Sequence, residues 1–180
     1  GAGDGLFLRN IVAKRKIAVD LSSHVQALAA HGVEVHEVSA TSFTDTVEGK
    51  VDVIFMSNFL EHLPNKRLVL EVLTECKKAL KDGGMLMILQ PNIRYVGASY
   101  WDYIDHHIAL TEHSLVEALE VSGYGVVKLV PRFLPYTAKS KLGRFAGLVD
   151  TAKLMSLYLR FPILWKLFGQ QTFVVAALRK

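Results

Sequence analysis

The sequence predicts an α/β protein built around a mostly parallel sheet, and three observations carry that reading. Six apolar runs of strand length alternate with amphipathic segments of helix length, as repeated strand–helix units require. The middle runs are nearly continuous in Val, Ile, Leu and Met, the pattern of strands buried on both faces. A glycine-rich turn at the start leads into a helix-like stretch, and the strand that follows ends in an acid.

Taken in order, Gly1-Ala2-Gly3-Asp4-Gly5 reads as a tight turn into a helix N-terminus formed by Leu6-Phe7-Leu8-Arg9-Asn10-Ile11. The spacing predicts strands over 16–20, 33–38, 51–57, 85–90, 125–130 and 172–178. Between the third and fourth strands, Val69, Leu70, Val72, Leu73, Cys76 and Leu80 form one stripe opposite Lys and Glu, which predicts a helix over 66–80 ended by Gly83-Gly84. Thr111 is the expected N-cap of a helix that carries Leu115, Ala118 and Leu119 and stops at Gly123. The alternation lapses over about 131–171, an insertion rich in Arg, Lys, Phe, Leu and Tyr, and resumes with the last strand.

A chain of 180 residues can bury one core, so a single domain over 1–180 is expected. Hydrophobic residues make up 51% of it, yet no uncharged apolar run approaches the roughly 18–20 residues of a bilayer span. The net charge of +4 is too mild to imply nucleic acid. A lone cysteine, Cys76, excludes an intrachain disulfide and fits a cytoplasmic location. The chain opens on glycine rather than methionine, so an upstream segment is allowed for.

The chemistry-bearing residues begin with the glycine turn, where backbone can approach a ligand closely. Asp20, closing the next strand, can accept both hydroxyl hydrogens of a ribose or else cap the helix that starts near Ser22. Leu6 stands where a dinucleotide fingerprint needs its third glycine, which disfavours a nicotinamide cofactor. Further along, His106 and His107 follow Pro91-Asn92 in the run Tyr100-Trp101-Asp102-Tyr103-Ile104-Asp105-His106-His107, at the carboxyl end of a parallel strand where ligands bind. They are the candidate bases, His106 first, with Asp105 able to orient one ring. Packing or capping around Thr111 explains the same histidines without catalysis. Glu61-His62 either faces an acceptor or ties its loop to its neighbours. His106, His107 and His113 lack the spacing of a zinc site, so no metal is expected.

The segment Val51-Asp52-Val53-Ile54-Phe55-Met56-Ser57-Asn58-Phe59-Leu60-Glu61-His62-Leu63-Pro64 resembles the fourth-strand motif of class I S-adenosylmethionine-dependent methyltransferases. Leu80-Lys81-Asp82-Gly83-Gly84-Met85-Leu86 resembles their lead into the fifth strand, and the similarity covers roughly 1–130 together with the last strand. It implies a Rossmann-like sheet with helices on both faces and an antiparallel last strand. It also implies S-adenosylmethionine as cofactor, with Gly1, Gly3 and Gly5 bordering its methionine and ribose portions. Asp20 would bind the ribose, Leu21 would pack on adenine, Ser39 and Ala40 would lie near the adenine amino group, and Ser57, Asn58 and Phe59 would close the methionine end. The family's first, central strand is missing from this sequence, and upstream residues are expected to supply it.

Tyr100 through Leu115, with Pro131-Arg132-Phe133-Leu134-Pro135-Tyr136-Thr137, is similar to a bacterial subgroup tied to cell-surface polysaccharide biosynthesis. That resemblance implies a small-molecule or glycan acceptor, such as a sugar or lipid-linked saccharide, with Arg132, Tyr136 and Lys139 available to its hydroxyls or phosphate. The stretch 145–168 joins an apolar stripe to Arg144, Lys153, Arg160 and Lys166. It could rest on an anionic inner-membrane surface, or serve equally as a lid or homodimer face. Two other readings compete with the enzyme: a non-catalytic binding module on the same fold, and a nicotinamide-dependent oxidoreductase.

Overall fold

The computed structural model describes residues 1–47, 50–136 and 151–179. Twelve labelled elements follow one another. They are α1 (Leu6–Asn10), β1 (Ile17–Asp20), β2 (Glu34–Glu37), β3 (Val51–Ser57), α2 (Lys66–Ala79), β4 (Leu80–Pro91), α3 (Ile93–Val96), α4 (Glu112–Val121), β5 (Tyr124–Val130), α5 (Thr151–Arg160), α6 (Pro162–Phe168) and β6 (Gln171–Leu178). Short 3₁₀ turns fill several connections, the longest over Ser23–His31.

Strands pair in two ladders. β1 and β2 are parallel, with Ile17 opposite Glu34 and Asp20 opposite Glu37. The larger sheet runs β3-β4-β6-β5, parallel between β3 and β4 and antiparallel on both sides of β6. The antiparallel last strand is therefore where the sequence places it. Among the described residues no strand lies between the two ladders to join them by hydrogen bonds. Side chains link them instead. The rings of Phe7 and Phe55 stack at 4.2 Å, and Ile17 and Val19 pack on the core of the larger sheet.

That core consists of Leu60, Leu73, Leu80, Leu86, Ile88, Leu115, Leu119, Tyr124 and Val174 with their neighbours, all essentially out of solvent. α2 contributes one apolar stripe, with Val69, Val72, Leu73 and Cys76 inward, and Asn65 caps its N-terminus by accepting from the Leu68 amide at 3.1 Å. Burial pushes the Cys76 thiol up to about 12, which makes it an inert core group. The Tyr124 hydroxyl donates to the Leu73 carbonyl at 2.9 Å and ties β5 to α2.

One boundary differs from the sequence reading. α2 ends at Ala79, and Leu80 already pairs with Val51 at the start of β4. Gly83-Gly84 therefore do not stop the helix. They lie where the register slips from Val51↔Leu80 to Val53↔Met85, and Lys81 anchors this irregular stretch to Asp52 at 2.9 Å. The Thr111 cap is as expected. It forms a reciprocal box with Ser114, each side chain meeting the other residue's amide.

At the carboxyl end of β4, the buried Asn92 side chain donates to Glu112 at 2.7 Å and to Thr172 at 2.9 Å. Its carbonyl oxygen accepts from the Arg94 amide. This network fixes the point where α4, β6 and the loop after β4 meet, and so positions everything that loop carries. Of the stretch expected as an insertion, residues 131–136 and the helices α5 and α6 are described, while 137–150 lie outside the described residues; Pro162 stands at the first turn of α6 and Gly169 beyond its last. No helix of the described residues is long and apolar enough to cross a membrane.

Candidate active site

Two groups of residues meet at the carboxyl ends of the parallel strands. The first is the glycine corner. Gly5 caps α1 in the left-handed conformation (φ 62°), and its amide donates to the Ala2 carbonyl at 3.0 Å to close the turn. A methyl group at Gly5 would sit 2.3 Å from the Leu28 side chain, whereas one at Gly3 (φ 51°) would meet nothing within 4 Å. Gly5 is therefore packed from behind, while Gly3 faces open space.

Asp20 holds this corner. Its Oδ2 accepts from the Gly3 amide at 3.0 Å and its Oδ1 from the Ser22 amide at 2.9 Å. Burial alone would raise its pKa, but the amides of Ser22 and Gly3 more than reverse that and keep it below the usual carboxylate range. The helix-cap alternative thus becomes a shared role. Ser22 itself caps the 3₁₀ turn through the His24 amide at 3.4 Å, and Asp20 braces Ser22. Leu21, beside it, is 74% exposed and offers a bare apolar face.

The other expected cofactor contacts end neighbouring strands. Ser39 follows β2, and its hydroxyl meets that of Thr41 at 2.8 Å while Ala40 packs on the core. Ser57 ends β3, and Asn58 takes a positive φ of 48° with its amide on the Leu89 carbonyl at 2.9 Å. The Phe59 ring lies against Gly1, where an added methyl would come within 2.3 Å of it. The glycine corner thus touches the residues leaving β3 although no ladder connects them.

The second group is built by docking the loop after β4 onto the turn after β3. The Glu61 carbonyl accepts from the amides of His107 at 2.8 Å and Ile108 at 3.2 Å. This brings His106, 8% exposed, beside Glu61, 1% exposed, and His62. His106 donates through Nδ1 to the Tyr100 carbonyl at 2.7 Å, which leaves Nε2 with its lone pair. Asp105, expected to orient one of the paired histidines, instead faces His62. Both its carbonyl and its Oδ2 lie 3.2 Å from His62 Nδ1. The His107 side chain is exposed.

Desolvation pushes the Glu61 carboxyl up to about 7. No partner reaches full hydrogen-bond geometry at its Oε2, although the adjacent, buried Gln90 amide stands close enough to oppose part of that rise. Tyr103 and Tyr136 stand at 5.1 and 6.5 Å from the His106 ring and wall the cluster on that side. Sequence reasoning named the pair Glu61-His62 and, apart from it, His106, without placing the three in one cluster. It missed Gln90 altogether, whose only signal is a polar residue closing an apolar strand.

The expected acceptor ligands divide. Tyr136 joins the cluster. Arg132 instead donates to the carbonyls of Gly169 at 2.9 Å and Leu167 at 3.0 Å, and its guanidinium covers the Tyr95 ring at 4.9 Å. It therefore braces the end of α6. Lys139 lies outside the described residues. A hollow of about 360 Å³ between Thr41 and α2, lined by Arg67, Glu71 and Lys78 among others, includes no residue of either group.

A mostly parallel sheet with a glycine corner and a carboxylate at its strand ends defines a cofactor-binding domain of the Rossmann-like class. The profile of the family described as "Methyltransferase domain" matches residues 1–129, and the chain belongs to that family. A search of curated proteins finds no sequence relative. Among solved structures, the fold is similar to a SAM-dependent methyltransferase from Archaeoglobus fulgidus, 20% identical, with a TM-score of 0.68 over 99% of this chain and 83% of that one. It is also similar to the N-methyltransferase NodS from Bradyrhizobium japonicum WM9, 13% identical, with a TM-score of 0.64 over 100% of this chain and 83% of that one. A third is an S-adenosylmethionine-dependent methyltransferase from Clostridium acetobutylicum ATCC 824, 11% identical, with a TM-score of 0.60 over 93% and 76%. The protein is a methyltransferase whose cofactor is S-adenosylmethionine, which sets aside both the nicotinamide reading and the non-catalytic one.

Proposed function

We propose that this methyltransferase transfers the methyl group to a hydroxyl of a sugar or lipid-linked saccharide. In this reading S-adenosylmethionine lies across Gly1, Gly3 and Gly5. Asp20 takes the ribose hydroxyls, Leu21 and Ala40 flank adenine with Ser39 near its amino group, and Ser57, Asn58 and Phe59 close the methionine end. The open space at Gly3 beside the Asp20 carboxylate supports that placement.

Methyl transfer from a sulfonium is an in-line displacement. The acceptor oxygen attacks the methyl carbon, the C–S electron pair stays on sulfur, and the acceptor proton must leave. His106 takes that proton at Nε2. The observation that carries this is the Nδ1 bond to Tyr100, which fixes the ring with its basic nitrogen among Glu61, His62 and Tyr136. Tyr103 and Tyr136 offer aromatic faces of the kind that sugar rings stack on. His107, exposed, is held in reserve as a second base.

Incubation with methyl-labelled cofactor and a panel of free and lipid-linked saccharides tests the acceptor class. Label in a saccharide product, with matching release of S-adenosylhomocysteine, is expected. Label only in non-sugar acceptors overturns the saccharide reading.

α5 and α6 bear on location. Leu154, Leu157, Phe161, Ile163, Leu167 and Phe168 are exposed beside Lys153, Arg160 and Lys166. We propose that this face rests on an anionic membrane surface at the cytoplasmic side. Co-sedimentation with anionic vesicles at low salt tests it. No binding, together with a dimer in sedimentation equilibrium, would assign the face to a second copy of the chain instead.

A further inference from the structure

We propose that Glu61, His62 and His106 bind a first-row divalent metal ion of the Zn²⁺ type. One donor atom from each side chain lies within 4.8 Å of the other two. Bonds of about 2.0–2.2 Å to zinc put ligand atoms roughly 3–3.5 Å apart, so the trio closes on an ion by a movement of about an ångström. His62 supplies the freedom, since its side chain is 37% exposed; its Nδ1 meets Asp105, and its Nε2 already lies 3.9 Å from Glu61 Oε1.

Three features distinguish this trio from a chance cluster. Both histidines donate Nδ1 to a backbone carbonyl, His106 to Tyr100 and His62 to Asp105, which leaves the two Nε2 lone pairs as ligands. That outer bond is what fixes the tautomer and ring plane of metal-binding histidines. The Glu61 carboxylate is buried to 1% exposure with Oε2 unpartnered, a state that a proton or a cation relieves. Gln90, equally buried, stands close enough to the same carboxyl to act on it as a donor, though neither of its amide atoms reaches full hydrogen-bond geometry. Two imidazoles and one carboxylate suit zinc and its neighbours and leave coordination positions open. Magnesium, which prefers oxygen ligands, is a poor match.

Binding of the ion does not depend on the methyl-transfer reading, but its consequence rests on it. With an ion held, His106 Nε2 would be a ligand and no longer the base, and the ion would supply the acidity that lets an acceptor hydroxyl release its proton to solvent instead. The oxygen so freed makes the same attack on the methyl carbon.

The test titrates chelator-treated protein with Zn²⁺ by calorimetry and with Co²⁺ by visible absorption. S-adenosylhomocysteine is titrated into the same samples. One equivalent of ion is expected in the wild-type protein. His106→Ala and His62→Ala should each weaken binding at least about 100-fold, since even the outer partners of ligands are worth about 10–100-fold. His113→Ala should change nothing. The half-exposed His62 keeps the test decisive should His106→Ala fail to fold. Wild-type protein that takes no ion, or variants that bind it at full strength, overturn the site. S-adenosylhomocysteine binding without the ion defeats only this inference, whereas ion binding without S-adenosylhomocysteine supports it and defeats the cofactor placement instead.

Discussion

The Gly3 amide donates to Asp20 Oδ2 at 3.0 Å, so the glycine turn and the carboxylate that ends β1 form one rigid corner. Neither residue alone specifies a ligand. Together they present a backbone open at Gly3 and an ionised acceptor beside it, with Leu21 bare on one flank and the residues leaving β3 on the other.

Substitutions in the turn separate packing from binding. Gly5→Ala forces a side chain into the left-handed region and against the buried Leu28, and should cost roughly 2–4 kcal/mol in urea unfolding. Gly3→Ala meets no neighbour and should cost only the backbone strain, about 1–2 kcal/mol. Its methyl would project into the proposed cofactor space, so S-adenosylhomocysteine affinity should fall more than stability does. Equal affinity in Gly3→Ala and wild type would place the cofactor elsewhere.

The proposed base gives a kinetic signature. His106→Ala should lower turnover by about 10²–10⁴-fold while S-adenosylhomocysteine affinity is retained. Unchanged turnover would make the ring a structural peg for the Tyr100 carbonyl.

Acid stability should carry the mark of Glu34. Arg15 forks onto its carboxylate at 2.8 Å through each of two nitrogens, and the His36 ring adds a contact at 2.7 Å. These hydrogen bonds, Arg15 first, hold its pKa down to about 2 from an ordinary 4.5. A depressed carboxylate stabilises the fold above its unfolded value, and the gain is lost as pH falls from 4.5 toward 2. Both side chains are more than a third exposed, so screening keeps the gain below about 1 kcal/mol. In urea melts, Glu34→Gln should be less stable than wild type at neutral pH, with the difference closing under acid conditions. A constant difference would contradict the assignment.

Much of the architecture is legible in sequence because buried parallel strands need continuous apolar runs. Val51–Ser57 is such a run and forms β3 over the residues read, but it lies at the edge of the larger sheet with Val53 50% exposed rather than buried on both faces. The Thr111 cap is equally local, since an N-cap depends on its next few residues. The end of α2 is not. Leu80 leaves the helix because β3 offers it a partner in Val51, a tertiary choice that overrides the glycines further on. The site divides in the same way. The glycine turn and Asp20 belong to consecutive elements and could be read together. The cluster of Glu61, His62 and His106 depends on two amides of a distant loop finding the Glu61 carbonyl, and no periodicity announces that. Asp105 shows the limit well, since adjacency in sequence suggested His106 or His107 while the fold gave it His62.

Calorimetry with S-adenosylhomocysteine on wild type and Asp20→Asn tests the central placement most directly. The asparagine keeps one oxygen for the Gly3 amide, sets its own amide nitrogen against the Ser22 amide, and loses the charge that the ribose hydroxyls would donate to, a loss of about 1.5–3 kcal/mol in binding. The account predicts one site in the wild type and affinity about 10–100-fold weaker in Asp20→Asn, measured at a temperature where thermal unfolding shows both proteins folded. Equal affinity in the two proteins would contradict it.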